Sequence, residues 1–218
     1  MAGYERPWKG ISYLVLEQAG FEFVGDLVAL PYRQPDGTVH NRRIIAPSGR
    51  CWWEATGLEV IPFGLETLPP ESEAREWALL LTEGESDALA TREHFAGVTA
   101  DSPVRGWCVL GMPGAGTWRP AWRRWLAPFP LVYLLGDGDE AGRNLNARVK
   151  RDAPWARSLW LPEGEDVRSI LQKHGAAALD PLFARADEDA RLWASFMLAP
   201  DVETWERLLL GAEVPDGA

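Results

Sequence analysis

Two stretches of the chain share one pattern, Trp77-Ala-Leu-Leu-Leu-Thr-Glu83-Gly-Glu-Ser-Asp87 and Leu131-Val-Tyr-Leu-Leu-Gly-Asp137-Gly-Asp139-Glu-Ala-Gly-Arg143. In each, a short apolar run ends in carboxylates around a glycine, and a helical pattern follows. Each stretch is therefore predicted to be a buried strand that turns into a helix. The carboxyl ends of parallel strands meet at one edge of a sheet, where ligands bind. We expect the carboxylates of the two stretches to converge there.

The same alternation extends through residues 76–175. The predicted strands are Trp77–Thr82, Trp107–Met112, Leu131–Gly136 and Ser158–Leu161, and the predicted helices are Ser86–Ala96, Pro120–Ala127 and Glu140–Arg151. Strands that alternate with helices indicate a parallel sheet with crossover helices. The predicted fold class is therefore α/β, with a parallel sheet flanked by helices.

Other patterns flank this region. Residues 1–75 are predicted to form a small α+β unit, in which a helix lies beside antiparallel strands joined by turns. Its predicted elements are a helix over Ile11–Ala19 and strands over Asp26–Tyr32, Thr38–Ala46 and Arg50–Glu54. A polar linker around Pro69 and Pro70 follows. Residues 176–218 are predicted to be a short helical tail, whose segments Asp187–Leu198 and Asp201–Leu210 each begin at a capping aspartate.

Composition excludes several classes of protein. Hydrophobic residues make up 46% of the 218 residues, enough for a buried core. No apolar run approaches the roughly 20 residues of a membrane span, and the N-terminus lacks a signal-peptide pattern. We therefore expect a cytoplasmic protein without a membrane partner. Cys51 and Cys108 lie far apart and provide neither a zinc site nor a disulfide framework; both are expected to be buried.

The charge pattern bears on nucleic-acid binding. The net charge of −10 argues against nucleic-acid binding, because nucleic-acid phosphates prefer basic surfaces. Basic residues nevertheless cluster in the first unit, at Arg33, Arg42, Arg43 and Arg50. Of these, Arg42, Arg43 and Arg50 are candidates for phosphate contacts, and a solvated strand face is the alternative.

The acidic side chains indicate a divalent-metal site. Glu83, Asp137 and Asp139 follow predicted strands, and clustered carboxylates repel one another unless a cation lies among them. Their oxygens are hard ligands that suit Mg²⁺ or Mn²⁺. Asp87 lies in the first turn of a predicted helix, where a carboxylate can also act as a simple cap. Asp137-Gly-Asp139 alone is also ordinary turn chemistry.

At these residues the chain resembles the TOPRIM domain, the catalytic module of primases, topoisomerases and some nucleases. Glu83 matches the strand-end glutamate of the TOPRIM signature, and Asp137 with Asp139 matches its second motif. Leu161-Pro-Glu-Gly-Glu-Asp166 is similar to a segment of bacterial and phage primases. The residues Lys9-Gly-Ile-Ser12, Gln18-Ala-Gly-Phe21 and Pro35-Asp-Gly-Thr38 resemble the region that precedes TOPRIM in phage primase-helicases. The resemblance covers residues from about 8 to 175.

The resemblance implies the core of a DNA primase, which synthesises short RNA primers on single-stranded DNA from nucleoside triphosphates. It implies catalytic roles for Glu83, Asp137 and Asp139, with Glu83 as a candidate general base. The implied ligands of Mg²⁺ or Mn²⁺ are Glu83, Asp87, Asp137, Asp139 and Asp166, and the implied nucleotide or nucleic-acid contacts are Arg42, Arg43, Arg50 and Arg143. A replicative helicase is an implied partner. The small size of the chain and the modules that are not expected in it favour an origin in a phage, plasmid or mobile element.

The chain also departs from the primase pattern. Arg168 stands where such primases commonly have a second aspartate after the one matching Asp166, and zinc-binding and helicase modules are not expected here. Two alternatives therefore stay open. One is a TOPRIM nuclease that activates water with the same carboxylates. The other is a nucleic-acid-binding accessory protein without catalysis.

Overall fold

The structure is a computed structural model that describes residues 8–95 and 105–198, with side chains described as far as residue 190. Its strands are β1 (Glu22–Val24), β2 (Leu27–Arg33), β3 (Val39–Ile45), β4 (Cys51–Trp53), β5 (Trp77–Thr82), β6 (Gly106–Gly111), β7 (Leu131–Leu135) and β8 (Arg157–Ser158). Its α-helices are α1 (Tyr13–Gln18), α2 (Glu85–Phe95), α3 (Arg123–Leu126), α4 (Glu140–Asp152), α5 (Val167–His174) and α6 (Asp180–Leu198). None of the described helices is long and apolar enough to cross a bilayer.

The first four strands form an antiparallel sheet in the order β1-β2-β3-β4. The turn between β2 and β3 contains Gly37, whose φ of 83° lies in the left-handed region that favours glycine. The strand β1 was not predicted, because Glu22–Val24 is too short to show an alternating pattern. Helix α1, which precedes this sheet in the chain, contacts α2.

The second sheet is parallel, in the order β6-β5-β7-β8. The central strand β5 pairs with β6 on one side and with β7 on the other. After β5, the chain therefore adds β6 on one side of the sheet and then β7 on the other. Such a reversal of the strand order leaves a ligand-binding crevice at the carboxyl ends of β5 and β7. Glu83 directly follows β5, and Asp137 lies two residues beyond β7.

Apolar residues explain why β5 is central. Four of its residues, Ala78–Leu81, are at most 2% exposed, since both faces of the strand are covered. Helix α2 packs against β6 and α5, α4 packs against β7, and α6 packs against β8. The α/β prediction with a parallel sheet flanked by helices is thus confirmed.

One continuous hydrophobic core joins the two sheets. Leu30 and Tyr32 of the antiparallel sheet belong to the same cluster of buried residues as Leu79 and Leu110 of the parallel sheet. Phe63, in the segment that follows β4, adds backbone hydrogen bonds to Gly111 at the end of β6. The division of the chain into residues 1–75, 76–175 and 176–218 stays a prediction.

Two expectations need correction. Cys108 is buried as expected, but Cys51 is exposed, because it lies at the start of the edge strand β4. The tail helix begins at Asp180 rather than Asp187. Asp187 does not cap a helix; it accepts a hydrogen bond from the Tyr133 hydroxyl at 2.8 Å and pairs with Arg157. The predicted segment Asp201–Leu210 lies outside the described residues.

Candidate functional site

The two acidic motifs meet at the carboxyl edge of the parallel sheet. The backbone N–H of Asp137 donates a hydrogen bond to Oε2 of Glu83 at 3.4 Å. Adjacent parallel strands in register bring these ends together, since Thr82 of β5 pairs with Leu135 of β7. The predicted convergence of the two motifs is therefore found in the structure.

A third loop is bound to the Asp137 turn. The N–H of Gly138 donates to the carbonyl of Glu165 at 2.8 Å, and the N–H of Gly164 donates to the carbonyl of Gly138 at 2.9 Å. A Cβ added to Gly138 would lie 1.8 Å from the carbonyl oxygen of Pro162, so no larger residue fits there. This close contact brings Asp166, the residue after Glu165, to the same edge.

Gly142 is needed for a similar reason. A Cβ there would lie 2.2 Å from the carbonyl oxygen of Asp137, so the first turn of α4 packs directly on the backbone of the acidic turn. The helix could not approach the strand end so closely with any side chain at this position. The glycines of the motif are thus explained by close backbone packing.

Two of the aspartates cap helices. Asp139 precedes α4, and its side chain accepts a hydrogen bond from the N–H of Gly142 at 2.8 Å. Asp166 precedes α5, and its side chain accepts from the N–H of Ser169 at 2.6 Å. Both side chains are therefore fixed in position at the acidic edge by the helix ends that they cap.

Asp87 is the most buried of the candidate ligands. It lies in the first turn of α2 and is 7% exposed. Its Oδ1 has no hydrogen-bond partner among the described residues and lies 3.8 Å from Nε of Arg168. Arg168 in turn donates from Nη2 to Asp166 at 2.8 Å. Asp87 therefore interacts with a side-chain cation in addition to its place in the first turn of α2.

Crowding raises the pKa of the carboxyls nearest the centre of this edge. Burial, followed by the charges of Glu83 and Asp87, raises the pKa of Asp137 to about 7. Burial also raises the pKa of Glu83, together with the charges of Asp139 and Asp87 and against the hydrogen bond from Asp137. Carboxyls that share a partly buried site behave in this way when no cation neutralises them.

The pKa values of Asp87 and Asp166, the two carboxyls that contact Arg168, shift in opposite directions. Burial and the charge of Asp166 raise the pKa of Asp87 to about 6, although Arg168 and Lys9 oppose that rise. At Asp166, burial is outweighed by the Ser169 N–H and the Arg168 guanidinium, so its pKa is lowered. Arg168 therefore neutralises part of the acidic edge.

The donor set fits a divalent cation in its chemistry. All the candidate ligands are carboxylates, and Oδ1 of Asp137 is buried with no hydrogen bond in the described part of the chain. An orphaned buried oxygen beside other carboxylates is the arrangement that a hard cation satisfies. As the side chains stand, however, no group of described His, Cys, Asp or Glu residues is arranged to enclose a metal ion. Binding would require these carboxylates to turn toward one another.

The candidate basic residues do not form one cluster. Arg42 and Arg43 are neighbours in β3 and therefore point to opposite faces of the sheet. Arg42 pairs with the exposed Glu54 at 3.1 Å, and Arg50 lies 6.0 Å from the ring centroid of Trp52. Arg143 is exposed near the start of α4, beside the acidic turn. Their predicted nucleic-acid contacts stay predictions.

Arg43 belongs to a network that the sequence did not reveal. Its Nη1 lies 3.0 Å from Oε1 of Glu85 and donates to the carbonyl of Pro113 at 2.8 Å. The hydroxyl of the buried Tyr32 donates to the same Glu85 oxygen at 2.5 Å. Glu85 begins α2, so these contacts attach the antiparallel sheet to the loop that carries Glu83.

Lys9 is a second residue whose position the sequence did not reveal. Its Nζ donates to Oγ of Ser86 at 3.2 Å, next to Asp87. The residue adopts a left-handed conformation with φ 52°. The motif Lys9-Gly-Ile was visible in the sequence, but a contact across 77 positions was not.

Comparisons with known proteins agree with this geometry. No family model matches the chain. The Gene 57 protein of Mycobacterium phage D29 is 33% identical to it over 113 residues, which are 52% of this chain and 73% of that protein.

Solved structures show the same fold. The primase fragment of the bacteriophage T7 primase-helicase protein aligns with a TM-score of 0.63 at 19% identity, over 80% of this chain and 72% of that chain. A DnaG primase catalytic domain bound to single-stranded DNA aligns with a TM-score of 0.63 at 17% identity, over 81% of this chain and 68% of that chain. The TOPRIM-type fold of primase catalytic cores, predicted from the motifs, is thus confirmed.

Proposed function

We propose that this chain, which belongs to the family of the Gene 57 protein of Mycobacterium phage D29, is the catalytic core of a DNA primase. It would join ribonucleotides into short primers on single-stranded DNA. The observation that carries the proposal is the convergence of Glu83 and Asp137 at the reversal point of a sheet with the primase fold. The solved neighbours include a primase bound to single-stranded DNA, which supports that template.

The acidic edge supports phosphoryl transfer. A divalent ion held by Glu83, Asp137 and Asp139 would neutralise triphosphate charge and acidify the attacking 3′-hydroxyl. Glu83 is also proposed to accept that hydroxyl's proton as a general base. The hydroxyl oxygen then bonds to the α-phosphorus, and pyrophosphate leaves. Asp139, whose side chain is fixed as a helix cap, is proposed to be the third ligand of that ion.

Basic side chains would bind the phosphates of the substrates. Arg143 is exposed beside the acidic turn and is proposed to contact the triphosphate. Arg42 and Arg50 lie on the outer face of the antiparallel sheet, where Trp52 is 40% exposed, and are proposed to contact the template. The phosphate role of Arg43 is the least supported, because Glu85 and Pro113 already engage its guanidinium.

A replicative helicase is the proposed partner. The supporting observation is that one structural neighbour is the primase fragment of a primase-helicase protein. A helicase that moves along the duplex would supply the single-stranded template that such a core needs.

One assay tests the proposed function. The protein is incubated with single-stranded DNA, labelled ribonucleotides and Mg²⁺ or Mn²⁺. We expect new short oligonucleotides, whereas cleaved template would indicate a nuclease and binding without product would indicate an accessory protein.

Variants locate the activity. Asp137→Ala combined with Asp139→Ala should abolish product, and Glu83→Gln should lower the rate by roughly 10²-fold or more, since it removes both a ligand and a base. Arg105→Gln is the matched control, because Arg105 pairs with Glu73 and Glu76 at the opposite end of the sheet. Undiminished synthesis by the double variant would reject the site.

A further inference from the structure

The Arg168 side chain extends from the start of α5 into the acidic edge. Its Nη2 donates to Oδ2 of Asp166 at 2.8 Å, and its Nε lies 3.8 Å from Oδ1 of Asp87. The side chain of Arg168 is 24% exposed and that of Asp87 is 10% exposed, so both charges are largely removed from water. The guanidinium thus lies between two carboxylates that belong to different helices.

Helix stability does not explain this position. Asp166 caps α5, so Arg168 is the second residue of the helix. A cation in the first turn of a helix is unfavourable, because the N-terminal end of the helix dipole is already positive. The two carboxylates are the groups that make the position favourable. The position of the Arg168 side chain is therefore explained by its contacts with Asp87 and Asp166.

A second cation lies on the same side of the site. Lys9 Nζ donates to Ser86 Oγ, and the Lys9 carbonyl accepts a hydrogen bond from Gln172 Nε2 at 2.6 Å. Gln172 lies one helical turn after Arg168 on α5. The same helix therefore carries Arg168 and binds the backbone of Lys9. A non-glycine residue with φ 52° is conformationally costly, and such strain persists where the surroundings enforce it.

We propose that Arg168, assisted by Lys9, is a built-in cation that occupies the Asp87–Asp166 half of the acidic edge. The chain then binds a single divalent ion, at Glu83, Asp137 and Asp139. This inference rests on the proposed function, because it assumes that the acidic edge binds a divalent ion. It adds that the protein's own side chains supply the positive charge in the other half.

The physical reason is charge balance. A divalent ion next to a guanidinium that is already paired with Asp87 and Asp166 would meet a like charge in a poorly solvated site. It would also have to displace the 2.8 Å hydrogen bond from Asp166. Oδ1 of Asp87 and Oδ1 of Asp137 both lack a hydrogen-bond partner among the described residues, but only that of Asp87 is paired with a cationic side chain, so Asp137 is available to an ion.

Counting bound Mn²⁺ tests the inference without reference to activity. Metal-free protein is titrated with Mn²⁺, and free Mn²⁺ is followed by electron paramagnetic resonance. We expect one ion per chain for the wild type, for Arg168→Lys, which keeps the charge, and for the surface control Arg105→Gln. We expect two ions for Arg168→Gln, with the second lost again when Asp87→Asn is added.

The outcomes separate the two proposals. Two ions in the wild type, or one in a folded Arg168→Gln protein, would overturn the role of Arg168 and leave the primase proposal intact. No bound ion in the wild type would overturn the metal site itself and the inference with it. Near-ultraviolet circular dichroism establishes whether Arg168→Gln is folded; if it is not, a second ion bound by the wild type or by Arg168→Lys would still overturn the inference.

Discussion

The backbone N–H of Asp137 donates to Oε2 of Glu83 at 3.4 Å, which joins the ends of two adjacent parallel strands. The carboxylate that accepts this hydrogen bond adds its charge to the surroundings of the Asp137 carboxyl group. Burial and this neighbouring charge raise the pKa of Asp137 to about 7. The site is thus electrostatically strained without a cation, and measurements on the metal-free protein can detect that strain.

Asp137→Asn is expected to stabilise the metal-free protein near neutral pH. The change removes a crowded negative charge, so the free energy of unfolding should rise by about 1 kcal/mol, a fraction of the unscreened value because the carboxyl is partly solvated. Urea unfolding with a chelator measures this value, and added Mg²⁺ should stabilise the wild type but not the variant. Glu71→Gln, at an exposed position, is the control for loss of charge. A less stable Asp137→Asn protein would contradict the expected repulsion.

The metal-free protein should lose stability as the pH rises. The folded pKa values of Asp137 and Asp87 are about 7 and about 6, above the ordinary value of 3.8. At pH values between the ordinary pKa and the raised folded pKa, the folded state binds more protons than the unfolded state. The free energy of unfolding therefore falls with increasing pH over that range. Urea unfolding at several values from about pH 4 to about pH 7 should show this slope, and Asp137→Asn should flatten it. A rising stability over the same range would exclude the raised pKa values.

Gly138→Ala should destabilise the fold and disturb the acidic turn. Its Cβ would collide with the carbonyl oxygen of Pro162, a backbone atom that cannot move independently. We expect a loss of about 2 kcal/mol or more, as for other overpacked sites. Gly116→Ala is the matched control, because nothing lies within 4 Å of its added Cβ and its φ is not positive. Equal unfolding free energies for the two variants would show that the turn is not close-packed.

Tyr32→Phe should weaken the attachment of the antiparallel sheet to α2. The Tyr32 side chain is 0% exposed, and its hydroxyl donates to Glu85. Loss of a buried hydrogen bond to a charged acceptor should lower the free energy of unfolding by roughly 1–3 kcal/mol. Tyr13→Phe, at a residue that is 64% exposed, should leave it unchanged. No difference between the two variants in urea unfolding would remove this role of the Tyr32 hydroxyl.

The sequence predicted those features that depend on local pattern and on general sheet rules. The strand Trp77–Thr82 has the predicted bounds, because a fully apolar run bounded by an acidic turn has few other interpretations. The convergence of Glu83 and Asp137 follows from the parallel sheet alone. Helix α4 begins at the predicted Glu140, since the preceding Asp139 caps it.

Features that depend on tertiary contacts were not predictable. The place of Lys9 depends on a left-handed backbone and on a contact with Ser86 across the chain. The direction of Arg168 depends on the packing of α5 against α2. Arg43 was interpreted as a phosphate contact because its charge is visible in the sequence, whereas its buried partner Glu85 is visible only in the fold.

The central claim is that a divalent cation binds between Glu83 and the Asp137–Asp139 turn. The most direct measurement is anomalous X-ray scattering from crystals of the protein soaked in Mn²⁺. We predict a manganese peak in contact with the carboxylates of Glu83 and Asp137. Saturating Mn²⁺ with no peak at this position, and with the two carboxylates turned away from each other, would contradict the claim.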